Sequence, residues 1–283
     1  MKVALVAIGR LENKYAVEFV EYYKQLGFDK IFIIDNNRDG EEYFEDVLQS
    51  YINEDFVNIL NYRNVKCSTD HPSIQIEAYN KAYEIYKDQY DYIMFIDFDE
   101  YLCLKKDNNI KEYLNRNVDE YDCILINWMV MTDNNLIYDD GRSLIKRFIR
   151  PANLNIKISC DIPENYFVKS IIRCGKQIHM YDPHIPNFRK DNITICNNNF
   201  KKLEYTDIIN YAFVKYDYTL AYIKHFYTKT IDEYIHNKLK RGVPDRQFES
   251  VKEKYNLNLF FKINYKTEKH KKYLIDNNYE KFK

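Results

Sequence analysis

The stretch Tyr92-Ile93-Met94-Phe95-Ile96, running straight into Asp97-Phe98-Asp99-Glu100, constrains this chain more than any other. Five apolar residues in a row are too few for an ordinary helix and show no alternation. That is the pattern of a strand buried on both faces, as in the middle of a parallel sheet. In open α/β sheets, ligands bind outside the carboxyl ends of the strands, so Asp97 and Asp99 are expected at that rim. Side chains at i and i+2 of an extended segment point to one side. Asp97 and Asp99 are therefore expected to converge, with Glu100 pointing elsewhere. Two converging carboxylates are hard oxygen ligands suited to Mg²⁺ or Mn²⁺. The same residues also serve simply to end a strand and open a turn.

The residues before this stretch alternate between two periodicities. Val3 to Ile8 reads as a first buried strand, and Tyr15 to Leu26 places Ala16, Phe19, Val20, Tyr23 and Leu26 at helical spacing. Gly27 supplies the helix stop. Lys30 to Ile34 is a second buried strand, ending in Asp35-Asn36-Asn37. A strand–helix–strand unit of this kind predicts parallel strands joined by a right-handed crossover. Val47, Leu48 and Tyr51 predict a second helix, and Phe56 to Leu60 a third strand. Pro72 opens a third helix with Ile74, Ala78, Ala82 and Ile85 on its apolar face. The first hundred residues thus form the nucleotide-binding half of an α/β protein.

After Glu100 the pattern changes. Cys123–Trp128, Leu144–Ile149, Phe167–Arg173 and Tyr222–His225 are strand-like, separated by long polar stretches of the kind that build binding sites over a rigid sheet. Ile231 to Lys240 is helical, stopped near Arg241-Gly242 and Pro244. A charged helical tail follows, suited to packing on the domain or to a partner or membrane surface.

Composition excludes several classes. Lys plus Arg number 42 against 43 Asp plus Glu, so the net charge of −1 leaves no electrostatic footprint for nucleic acid. No apolar run approaches the roughly 20 residues that span a bilayer. The N-terminus reads as a strand rather than a signal peptide. The six cysteines are scattered without C-x-x-C spacing, as in a reduced cytoplasmic protein. No Walker or G-x-G-x-x-G signature is present.

Several further positions admit two readings each. Asp35-Asn36 can accept hydrogen bonds from ribose or base, or can cap a helix or make a turn. Gly9-Arg10 can let backbone approach a base, or can simply turn the chain. In Ile223-Lys224-His225-Phe226-Tyr227-Thr228-Lys229, His225 can complete a metal site and Lys229 can meet a diphosphate, or His225 can be structural. His179 and His184 are weaker candidates of the same kind. Trp128 suits the floor of an acceptor site or the core.

Four segments resemble the glycosyltransferases of family 92 and bacterial relatives in family 2. They are Glu18-Phe19-Val20-Glu21-Tyr22-Tyr23 through Asp35-Asn36; Phe95-Ile96-Asp97-Phe98-Asp99-Glu100-Tyr101; Lys169-Ser170-Ile171-Ile172-Arg173 with His179; and Ile223 to Thr230 with Glu233-Tyr234 and Lys240-Arg241-Gly242. The resemblance implies a GT-A type α/β fold with a mostly parallel central sheet flanked by helices. It implies a glycosyltransferase domain over 1–242, with a nucleotide-binding half (1–101) and an acceptor-binding half (102–242), before a helical extension (243–283).

It also implies transfer of a sugar from a nucleotide-diphosphate donor, UDP-sugar first among them, to a hydroxyl of a glycan or lipid-linked glycan acceptor, with inversion. By that similarity Asp97, Asp99 and His225 would hold Mn²⁺ or Mg²⁺. Ala7, Gly9, Arg10, Asp35, Asn36, Asp97, Lys229 and Arg241 would line the donor. Asp133, just past Trp128, is the first candidate for the base that deprotonates the acceptor, with Asp161, Glu164 and Asp182 its rivals. Met129 to Asn134 departs from the glycines that family members often carry after the tryptophan, which leaves the acceptor open. The expected setting is cytoplasmic, with peripheral contact at the inner membrane face. Two other functions fit parts of the pattern. A sugar nucleotidyltransferase would need a better glycine- and lysine-rich loop than Gly9-Arg10-Leu11-Glu12. A non-catalytic glycan- or nucleotide-binding module would have no need of Asp97-Phe98-Asp99-Glu100.

Overall fold

The computed structural model describes residues 1–65, 73–158, 160–188, 190–209, 213–239 and 256–277. In chain order its elements are β1 (Val3–Gly9), α1 (Asn13–Gln25), β2 (Lys30–Asp35), α2 (Glu45–Asn53), β3 (Val57–Asn61), α3 (Ile74–Tyr86), β4 (Tyr92–Asp97), β5 (Glu100–Leu104), α4 (Ile110–Leu114) and β6 (Cys123–Val130). Then come α5 (Leu144–Arg147), β7 (Val168–Arg173), β8 (Met180–Asp182), β9 (Ile185–Pro186), β10 (Ile195–Asn197), β11 (Ile208–Ile209), β12 (Phe213–Val214) and β13 (Ala221–His225). The last are α6 (Ile231–Glu233), continued as a π-helical turn (Tyr234–Leu239), α7 (Leu257–Ile263) and α8 (Glu268–Asp276).

Among the described residues the main sheet has nine strands in the order β3-β2-β1-β4-β7-β6-β13-β5, with β10 beside β6. β1 is parallel to β2 and β4, β2 to β3, and β10 to β6, while β7 runs antiparallel to both β4 and β6. The expected α/β class with a mostly parallel sheet is therefore present. Register decides where the site lies: Gly9 pairs with Asp35, and Ile8 with Asp97, so three strand ends share one rim.

Two compact units emerge, Met1–Trp128 with Tyr166–Ile223, and Met129–Asn165 with Lys224–Lys283. In the first unit, Ala4, Val6, Ile8, Ile93 and Phe95 pack against Ala78, Tyr79, Ala82 and Tyr83 of α3. The second holds Leu257, Phe260, Tyr273 and Leu274 of the two last helices against Ile231, Tyr234 and Ile235. The tail's apolar face is thus buried within its own unit. No helix of the described residues is long and apolar enough to cross a membrane.

Gly27 ends α1 at φ +90°, with its N–H on the Lys24 carbonyl. That conformation is open to glycine at little cost. Other expectations are corrected. Leu144–Ile149 is no strand: Leu144 and Phe148, four residues apart, are buried together while Ile149 stays 64% exposed, so the spacing is helical and α5 forms. Val47 and Ile85 lie on exposed helix faces. α3 is capped by Ser73, whose side chain accepts from the Ile76 N–H at 3.4 Å, while Pro72 lies outside the described residues. β5 went unforeseen, because an edge strand beginning inside an acidic turn carries a weak pattern.

Candidate functional site

The acidic turn does not continue the alternation of β4. The Asp97 N–H donates to Glu100 Oε2 at 3.1 Å, folding the chain back so that Glu100 starts β5 fully buried. The Asp97 side chain is held from both sides. Its Oδ1 accepts from Gln75 Nε2 at 2.6 Å and from the Tyr79 hydroxyl at 3.3 Å, and its Oδ2 accepts from Lys169 Nζ at 2.9 Å. Lys169 rises from β7 with a completely buried side chain and also stands 3.7 Å from Glu100 Oε2.

The electrostatics follow from burial. Desolvation pushes the Glu100 carboxyl well above its usual range; Lys169 opposes this, and the neighbouring Asp97 and Asp99 add to it. For Lys169, burial pulls the ammonium down, but the carboxylates of Asp97 and Glu100 outweigh it and hold it above its usual value. Glu100 Oε1 is buried and has no hydrogen-bond partner among the described residues.

His225 is the last residue of sheet strand β13. Within the first unit, Asp99 and Glu100 are neighbouring carboxylates of the acidic turn. Two carboxylates suit a small hard divalent cation such as Mn²⁺. A cation there would also satisfy the orphaned Glu100 oxygen, so the residues fit a metal. The turn differs from what the i, i+2 rule predicted: Asp97 turns to Lys169, while Glu100 folds back to accept from the Asp97 N–H. The alternation rule assumes an extended chain, and this chain turns at Phe98.

The rim residues expected at the donor are also engaged. Asp35 is 1% exposed; its Oδ1 accepts from the Asn37 N–H at 3.0 Å, and its Oδ2 pairs with Arg63 Nη1 at 2.8 Å. Arg63 also donates to the backbone carbonyls of Glu42 and Arg38, tying the loop after β2 to the end of β3. Arg10 pairs with Glu41, holding that carboxyl below its usual range. The Asn36 N–H donates to the Gly9 carbonyl at 3.0 Å. Ala7 is a fully buried interior strand residue, paired on both sides with Ile33 and Ile96. Lys229 sits at φ +55°, a left-handed conformation uncommon outside glycine. Arg241 lies outside the described residues.

The three base candidates differ in accessibility. Asp133 is 2% exposed, with Oδ1 accepting from the Asn135 N–H at 2.8 Å and Oδ2 bonded to His270 Nε2 at 2.6 Å. Glu164 is 2% exposed in a 3₁₀ turn. Asp161 is exposed and lines a cleft of about 560 Å³ with Asn153, Asn155, Phe261 and Tyr265. Trp128 is a core residue, its ring 4.9 Å from Phe167 and 5.0 Å from His184. His179 Nδ1 pairs with Asp191, and His184 Nδ1 with the Val168 carbonyl.

Lys169 and Arg63 were missed as site residues. The signal for Lys169 was a lysine inside an otherwise apolar strand, which is tolerated only with a buried partner. Arg63 had no comparable signal, since a charged residue just past a strand is ordinary.

A family model for glycosyltransferase family 92 matches residues 11–273. No curated protein sequence matches significantly. Among solved structures, S. aureus TarS is similar at 14% identity over 61% of this chain and 28% of that one, with a TM-score of 0.37. TarS 1-349 in complex with UDP-GlcNAc gives 14% identity, 61% and 45% coverage, and a TM-score of 0.37. GalNAc-T7 with UDP, GalNAc and Mn²⁺ gives 13% identity, 47% and 24% coverage, and a TM-score of 0.30. The chain spans less than half of each of these chains.

Proposed function

The chain belongs to glycosyltransferase family 92, and from that premise we propose that it transfers a sugar from a nucleotide-diphosphate donor with a divalent cation held at the acidic turn by Asp99 and Glu100. The observation that carries this reading is the buried carboxylate oxygen of Glu100 in the acidic turn, which has no hydrogen-bond partner among the described residues. When bound, the cation, Mn²⁺ or Mg²⁺, supplies positive charge where the departing diphosphate gathers negative charge.

The chain's own residues divide the remaining work. Gly9, Asp35 and Asp97 end three adjacent strands at the rim where an α/β sheet receives a nucleotide. Lys229, and Arg241 by resemblance, are the cations assigned to the phosphates. UDP is the proposed nucleotide, and a glycan or lipid-linked glycan the proposed acceptor, reached from the cytoplasmic side of a membrane. For the inverting reaction, Asp161 is the proposed base, because it alone of Asp133, Asp161 and Glu164 faces solvent and can meet an acceptor hydroxyl.

Calorimetric titration with UDP tests the donor site, run with Mn²⁺, with chelator, and on Asp99→Asn. Binding that needs the metal and disappears in the variant is the expected result. Equal binding with and without metal would remove the assigned role of Asp99 and Glu100.

A further inference from the structure

The second unit carries a cleft of about 560 Å³ between the stretch Asn153 to Asp161 and the connection from α7 to α8. That size falls within the roughly 300–1,000 Å³ of small-molecule sites. Both walls are fixed by internal bonds. Asn153 Oδ1 accepts from the Asn155 N–H at 2.9 Å, and the Ile156 N–H donates to the Asn153 carbonyl at 2.9 Å. On the other side Asn264 is 1% exposed, and its Nδ2 donates to the Phe260 carbonyl and the Thr228 hydroxyl, both at 3.0 Å. Ile156 and Ile263, one from each wall, are buried in one apolar cluster with Leu259 and Tyr227. On this fixed base Tyr265, the residue after Asn264, is 79% exposed.

A pyranose ring presents a face of C–H groups and a rim of hydroxyls that each donate and accept. The amphipathic ring of a tyrosine suits the face. The side-chain amides of Asn153 and Asn155, with donors and acceptors both, suit the rim. Lys157 and Lys262 stand against Asp161 in the lining, so no strong field of one sign favours a polyanion. One exposed tyrosine is ordinary on any surface; at the wall of a preformed polar cleft it becomes a platform. We propose that this cleft is a saccharide subsite, with Tyr265 stacking on one sugar ring and Asn153 and Asn155 bonding its hydroxyls. That the saccharide is the acceptor rests on the transferase reading above, in which Asp161 of the same cleft is the base.

Saturation-transfer NMR on the full chain tests this, with cellobiose, chitobiose, lactose and maltose as separate probes. At least one should bind. Tyr265→Ala should weaken that probe by at least about fivefold, and Tyr265→Phe by less than about twofold, since a phenyl ring keeps the stacking face. The bound probe should also slow alkylation of Cys160, an exposed thiol in the cleft lining, by iodoacetamide, read by peptide mass spectrometry. Binding of none of these probes, binding indifferent to Tyr265→Ala, or an unprotected Cys160 would each overturn the subsite. Titration of the wild-type protein with UDP and Mn²⁺ separates this from the transferase reading. If UDP binds with metal while every saccharide fails, the subsite falls and the transferase reading stands. If a saccharide binds and protects Cys160 while UDP does not bind, the subsite stands and the transferase reading falls.

Discussion

Gly9 and Phe98 are in contact across the rim: a Cβ on Gly9 would stand 2.7 Å from Phe98 Cδ2, and 2.9 Å from Phe44 Cζ. Phe98 is the middle residue of the acidic turn and is 2% exposed, stacked between Phe19 and Phe44 with centroids at 4.5 and 5.1 Å. The apolar residue between the two aspartates is thus the anchor of the turn, and the missing side chain at the end of β1 makes room for it. Gly9 is not in the left-handed region, so the requirement is for space alone. Gly9→Ala should push Phe98 and cost about 1–3 kcal/mol of stability in a urea melt. Adding Phe98→Leu should recover part of that loss, because the shorter side chain leaves room for the new methyl group. Additive losses would show that the two residues do not interact.

Arg63 and Asp35 form an ion pair with side chains 9% and 2% exposed. Cutting one partner of such a pair leaves the other charge buried alone, at a cost of about 3–5 kcal/mol. Arg63→Met is therefore expected to lower the unfolding free energy by that order, measured by denaturant titration. Its effect should exceed that of Arg116→Met, whose pair with Asp107 is more exposed on the arginine side at 43%. If Arg63→Met leaves stability unchanged, Asp35 is free to serve a nucleoside directly.

The parallel half was legible because its strands are buried on both faces and its helices carry one apolar stripe, two patterns that local sequence encodes. β1, β2 and β4 lie where Val3–Ile8, Lys30–Ile34 and Tyr92–Ile96 placed them. The acidic turn was legible in position but not in direction. Whether Glu100 points with or against Asp99 depends on how the chain folds at Phe98, and that in turn depends on Phe19, Phe44 and Gly9, far away in sequence. The partners of Asp97 were unreadable for the same reason: Lys169 is 72 residues distant. Likewise Asp133 reads as a loop carboxylate until His270, 137 residues later, is seen beside it.

Asp122 gives a pH prediction away from the acidic turn. Burial pushes its carboxyl up, but Lys176 Nζ at 2.8 Å and the Thr194 N–H and hydroxyl at 2.8 and 2.9 Å outweigh this and leave its pKa lowered. A carboxyl whose pKa is lower in the folded than in the unfolded chain adds stability above its unfolded value of about 3.9. That stability is lost as pH falls through the folded pKa. Asp122→Asn should therefore melt below wild type at pH 7, with the gap closing below about pH 4. A gap that stays constant from pH 7 to pH 3 would assign the effect to shape rather than charge.

Asp133 and Asp161 should separate cleanly under substitution. The Thr267 N–H donates to His270 Nδ1 at 3.1 Å, which places the ring proton on Nε2, where it donates to Asp133 Oδ2. Asn264 Oδ1 accepts the Asp133 N–H at 2.6 Å, and its Nδ2 donates to Thr228 Oγ1 at 3.0 Å. Asp133 thus fastens α8 and the end of α7 to the turn after β6. In Asp133→Asn one of two donors, the Asn135 N–H or the His270 ring, would face an amide NH₂. An unmatched buried donor costs about 1–3 kcal/mol. The expected result is a lower Tm, with sugar transfer reduced only as far as the folded fraction falls. Asp161→Asn, at an exposed position, should leave Tm unchanged and lower kcat by at least about a hundredfold, the usual share of a general base. The opposite outcome, a stable Asp133→Asn without activity beside an active Asp161→Asn, would move the base to Asp133 and require its pair with His270 to open during turnover.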